Sequence, residues 1–149
     1  MVVVIVIIAV IIASFITAFA TVNSTKLEAQ ARKIVSDLYL ARELALANNI
    51  DYCINFDFNA NTNRYYYETY QGACLAGTLI GWDNLPPYVS FSVPAVPFTL
   101  TFYTFDDFQM GGQASSPASI NSQLAITLNQ DSAYKTVRVF EDTGYVKIE

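Results

Sequence analysis

The chain contains no histidine. That removes imidazole as a general acid or base, and with it Ser-His-Asp triads and the usual zinc ligand sets. Cysteine is nearly absent too. Cys53 and Cys74 are too far apart for a Cys-x-x-Cys redox or metal motif, and two thiols cannot fill a structural zinc site. The pair reads as a disulfide, with two buried free thiols as the alternative. A bridge would close a loop of about 22 residues, stabilise the fold by ~3 kcal/mol, and place this part of the chain in an oxidising compartment. Clustered Lys and Arg are also missing. After Ala47 the basic residues are Arg64, Lys135, Arg138 and Lys147, against a larger set of acids that carries the net charge of −5. Such a surface is a poor partner for nucleic acid or anionic lipid, because phosphate binding needs grouped cations that displace counterions. Asp106 and Asp107 supply only a fraction of the roughly six to eight oxygens a calcium ion takes. With no phosphate loop or metal cluster, the sequence assigns no catalytic residue, no metal ligand and no cofactor.

Two further absences shape the N-terminal third. No charged residue precedes Lys26, and no Gly or Pro precedes Gly72. From Met1 to Val22 only Ser14, Thr17 and Thr21 interrupt Val, Ile, Ala and Phe. As a helix this run spans ~33 Å, enough for the hydrocarbon core of a bilayer. A cleaved secretory signal is the alternative, since Ala18-Phe19-Ala20 has the small-x-small form of a cleavage site. Against it stand the lack of a basic residue ahead of the run and a run longer than the usual apolar region. Beyond Val22 the pattern becomes amphipathic. Leu27, Ala31, Ile34, Leu38, Ala41 and Ala45 recur at spacings of four and three, which places one apolar stripe along a helix that packs on a domain. Lys33 and Asp37 are spaced for an i,i+4 ion pair. Asn48-Asn49 is the expected stop, because Asn tolerates the left-handed C-terminal conformation. The expected division is therefore a hydrophobic transmembrane or filament-core helix over 1–25 and a head over 26–149, with its helical part at 26–48 and a β-rich part at 50–149.

From Ile50 the period switches to two. Ile50, Tyr52, Ile54, Phe56 and Phe58 alternate with polar residues or Cys53, the turn cluster Asn59 to Asn63 follows, and Arg64 to Tyr70 reads as the returning strand of a hairpin. Further short strands are predicted at Val89 to Val93, Phe98 to Phe102, Leu124 to Leu128, Val137 to Val139 and Tyr145 to Ile148. The fold class is α+β: a long helix on an antiparallel sheet of five to eight strands, in one piece or divided in two. Gln109 to Ser122, with Gly111, Gly112, Gln113, Ser115 and Ser116, is the candidate surface loop. Tyr65, Tyr66, Tyr67 and Tyr70 fit a strand whose side chains divide between two faces.

The apolar start Val3-Val4-Ile5-Val6-Ile7-Ile8-Ala9-Val10, the segment Ala31-Arg32-Lys33-Ile34-Val35-Ser36-Asp37-Leu38, and Leu40-Ala41-Arg42-Glu43-Leu44-Ala45-Leu46-Ala47-Asn48-Asn49 together resemble type IV pilin-like proteins. More narrowly they are similar to the GspH/FimT group of type II secretion pseudopilins and minor pilins. Ile54-Asn55-Phe56-Asp57 and the closing Asp142-Thr143-Gly144-Tyr145-Val146 also match that group. The resemblance implies a structural subunit without enzymatic activity, held in the bacterial inner membrane before assembly. It then polymerises with identical or homologous pilin subunits into a periplasmic or cell-surface filament. Val3, Val4, Ile5, Ile7, Ile8, Val10, Ile11, Ile12, Phe15, Ile16 and Phe19 would then form the filament core.

The family's basic leader and its early glutamate have no counterpart here, and Met1 falls where the residue after that glutamate should stand. The expectation is that the natural chain starts upstream. Lys26, Arg32 and Lys33 would otherwise hold the head in the cytoplasm, against the disulfide reading. Some members of the group bind DNA through arginines near the C-terminus. Lys147 is the only basic residue after Arg138, so DNA binding is not carried over. The competing expectation, from another class, is a membrane-tethered or secreted β-rich binding module using the Gly111 loop.

Overall fold

A computed structural model describes the backbone of residues 2–103, 108–111, 123–131, 133–140 and 145–149, and side chains over 25–103, 124–131, 133–140 and 145–149. One helix, α1 (Val2–Asn48), runs without a break for 47 residues, a length of ~70 Å. Nothing punctuates it, in keeping with the lack of Gly and Pro. Its C-terminal half buries Leu27, Ala31, Ile34, Leu38, Ala41 and Ala45 almost completely. Alanine at three of these six positions lets the sheets approach the helix backbone closely. Asn49, at φ 52°, ends the helix in the left-handed region.

Among the described residues nine strands follow: β1 (Tyr52–Asn59), β2 (Arg64–Gln71), β3 (Thr78–Asn84), β4 (Ser90–Val93), β5 (Phe98–Phe102), β6 (Phe108–Gly111), β7 (Gln123–Gln130), β8 (Ala133–Phe140) and β9 (Val146–Ile148). They form two antiparallel sheets, ordered β3-β2-β1-β5-β6 and β4-β7-β8-β9. The helix touches β1 and β5 of the first sheet and β7, β8 and β9 of the second. Between them lies a single core. Phe56 is its aromatic centre, stacked on Phe98 with ring centroids 4.5 Å apart and meeting Phe91 edge-on at 5.4 Å.

Several expectations need correction. The alternation predicted for β1 fails: Tyr52, Cys53, Ile54, Asn55 and Phe56 are all buried, while Ile50 and Phe58 are exposed. β1 is the central strand of its sheet, paired on both sides, and Cys53 is covered by its disulfide to Cys74, which lies between β2 and β3. Strand β3 was not anticipated at all. β6 claims Gln109 to Gly111 from the predicted loop; Gly112, Gln113, Ser115 and Ser116 lie outside the described residues. Lys33 and Asp37 do not pair. Lys33 reaches Asp83 on β3, and the i,i+4 pair on this stretch is Glu28 with Arg32, at 2.7 Å.

The connection into β3 is tight. Gly77 donates its N–H to the Ala73 carbonyl at 2.7 Å, and a Cβ there would collide with the carbonyl oxygens of Gln71 and Ala73. The Cys53–Cys74 bridge, with Cα atoms 5.2 Å apart, ties this connection to the middle of the sheet.

Candidate functional site

A groove of about 240 Å³ lies between α1 and the β3 edge of the first sheet. Its polar end is built from three elements. Tyr67, in the middle of β2, is buried and turns its hydroxyl to Asp37 on α1, donating a short hydrogen bond to Oδ2. Asp83, opposite Tyr67 in the β2–β3 register, lies with its Oδ2 3.5 Å from the same hydroxyl. Lys33, one helical turn before Asp37, places Nζ 2.5 Å from Asp83 Oδ2. Burial, then the hydrogen bond and charge of Asp37, then Asp83, push the Tyr67 phenol far above its ordinary range. The phenol therefore stays a neutral donor. With two carboxylates against one ammonium, this end carries an excess of one negative charge.

Apart from Thr69 of β2, the remaining walls are apolar. Leu40, Ala41 and Leu44 come from α1, and Ile80, Gly81 and Trp82 from β3. Leu40 and Trp82 are 56% and 66% exposed, and Leu79 and Ile80 stand open beside them. β3 is an edge strand, so its outer row of backbone groups has no strand partner among the described residues. An exposed apolar edge of this kind marks a contact surface.

A phenol held protonated is a poor base, and the single ammonium is engaged with a carboxylate. Among the described residues no group of three or more His, Cys, Asp or Glu is placed to hold a metal ion.

Of the residues singled out from sequence, Leu27, Ala31, Ile34, Leu38, Ala41 and Ala45 lie in the core, and Ala41 also lines the groove. Cys53 and Cys74 are bridged, and Gly111 ends β6. Val3 through Phe19 belong to α1 by backbone, their side chains lying outside the described residues. Among the described residues, whose side chains begin at Thr25, no helix is long and apolar enough to cross a membrane. The groove itself was missed. Its sequence signal was the lone tryptophan in Thr78-Leu79-Ile80-Gly81-Trp82, a β-prone run in which Gly81 masks the alternation.

A long N-terminal helix whose C-terminal half packs on two antiparallel sheets defines an α+β fold of the type IV pilin-like kind. The crystal structure of the type IV minor pilin FimU of Pseudomonas aeruginosa, strain PAO1, is similar over 83% of this chain and 92% of that one, with TM-score 0.57 and 13% sequence identity. No family model and no curated protein matches the sequence.

Proposed function

We propose that the chain is a structural subunit of a type IV pilus or a type II secretion pseudopilus. One observation carries this reading: α1 is a single helix of 47 residues, its described side chains bury a stripe on the head from Leu27 to Ala45, and the sequence ahead of Lys26 carries no charge at all. A helix that only packs its stripe on a head has no use for an uncharged run of some 33 Å ahead of that stripe. A bundle of such helices does, because each apolar surface is then covered by its neighbours. The likeness in fold to a minor pilin and the disulfide of an oxidising compartment support the same reading.

On this proposal 1–25 anchors the subunit in the inner membrane and then forms the filament core, while 26–149 is the outward head. Partners are identical or homologous subunits. The filament lies in the periplasm or on the cell surface, and the head performs no chemistry. The test is mechanical shearing of cells that express the full chain, followed by sedimentation. Recovery as polymer, with a mass lacking two thiol hydrogens, is the expected result. A chain that stays with the membrane or in solution points instead to a tethered or secreted module.

A further inference from the structure

We propose that the groove between α1 and β3 receives the Arg64 side chain of a second copy of this chain; this rests on the subunit reading above and names one of its contacts. The groove is one cation short. Lys33 is engaged with Asp83, while Asp37 accepts only the neutral Tyr67 hydroxyl and has no cationic partner among the described residues. A guanidinium on an aliphatic stem fits what remains. It forks onto carboxylates, and its stem is covered by apolar walls such as Leu40 and Leu44.

Arg64 is the complementary group. Among the described residues the other cations of this chain already have company: Lys26 lies 5.7 Å over the Tyr88 ring, Arg32 pairs with Glu28, Arg42 with Glu43, and Arg138 and Lys147 share Glu149. Lys135 sits in the field of Glu28. The Arg64 side chain stands exposed where the β1–β2 hairpin ends, with no ion pair, side-chain hydrogen bond or ring contact among the described residues.

Arg64 cannot fill its own groove. It lies three residues before Tyr67 on β2, and alternation along a strand puts the two on opposite faces of the sheet. Tyr65 and Tyr67 point into the core side, against Phe91 and Phe56, and the groove opens on that helix-facing side. Knob and groove therefore face different ways. A contact between two different surfaces is heterologous, and repeating it gives a ring where the rotation closes and otherwise an open helical array. The open array is the geometry a filament needs.

The test uses full-length chains in sheared filaments. Arg64→Cys and Leu40→Cys chains, co-expressed and mildly oxidised, are expected to give a disulfide-linked dimer that neither variant gives alone. A chain carrying both substitutions is expected to give a ladder of higher oligomers. Arg64→Glu is expected to reduce sheared polymer roughly tenfold at unchanged total chain level, since it sets like charges against each other. Filaments that form without any cross-link overturn this contact and leave the subunit reading standing. A double variant that stops at a closed dimer overturns the repeating geometry. A wild-type chain never recovered as polymer overturns the subunit reading and this contact together.

Discussion

The Tyr39 hydroxyl both donates to the Val146 carbonyl, at 3.0 Å, and accepts from the Val146 amide, at 3.3 Å, across 107 positions of sequence. The register explains why those two groups are free to meet it. Thr136 and Glu149 exchange both backbone hydrogen bonds, so Arg138 and Lys147 form the next such pair, and Val139 and Val146 fall on a non-bonded pair. Val146 thus turns its N–H and C=O to the open side of β9, the edge of its sheet. A helix side chain completes the strand there.

Tyr39→Phe removes both bonds and leaves the two backbone groups of a buried residue without that partner. The expected loss is about 1–3 kcal/mol of unfolding free energy, read by denaturation of the full chain in mild detergent. Hydrogen exchange at β9 should quicken before that at β7 and β8. Unchanged stability would mean that water replaces the hydroxyl at no cost.

Phe56 and Phe58 are two residues apart on β1 and differ in what they cover. Phe56 is fully buried among Tyr67, Phe91 and Phe98, whereas Phe58 is exposed and touches Tyr65. Phe56→Ala is expected to cost ~3–5 kcal/mol and Phe58→Ala under about 1 kcal/mol. Similar losses at both sites would contradict the placement of β1 as the central strand.

Replacing Cys53 and Cys74 together by Ala should remove ~3 kcal/mol on the chain-entropy account. The effect should be local first: the turn at Gly77 and strand β3 are expected to exchange amide hydrogens faster while β7 and β8 do not. Equal exchange in β3 with and without the bridge would show that pairing with β2 alone holds that edge.

At high pH three tyrosines of β2, Tyr66, Tyr67 and Tyr70, hold their protons beyond the ordinary phenol range. Burial, with the charges of Asp57 and Glu68 and a hydrogen bond to Asp57, pushes Tyr66 up to about 12. Tyr70 is raised by burial and by its bond to Glu68, and Tyr67 is raised further. Each phenol holds its proton more tightly folded than unfolded. Its contribution is therefore complete below the unfolded value of about 10 and is lost as pH rises through the folded value. Tyr66 is partly exposed, so its share is small. Tyrosinate absorbance should show a late step near pH 12 and a last one that coincides with unfolding. A single midpoint near 10 for all ten tyrosines would sink this account.

The helix stripe was legible because six positions repeat one period over nineteen residues, and only an α-helix aligns them on one face. The β1–β2 hairpin was legible through its Asn cluster, where Asn59 Oδ1 accepts from the Asn61 and Thr62 amides at 2.9 and 3.2 Å. The groove was not, for a physical reason. An i,i+4 ion pair contributes a few tenths of a kcal/mol, so Lys33 and Asp37 take better partners as soon as β2 and β3 bring Tyr67 and Asp83 to the helix. Nothing in the order of residues states that β3 will lie beside residue 33. Sheet order is a tertiary fact, and the groove depends on it.

The helix lies across both sheets at once, touching β1 and β5 on one side and β7, β8 and β9 on the other. Tension applied along α1 from its N-terminal end would run parallel to these contacts. The buried stripe from Leu27 to Ala45 would then resist as a row of anchors strained together in shear, and the head could not be peeled off one strand at a time.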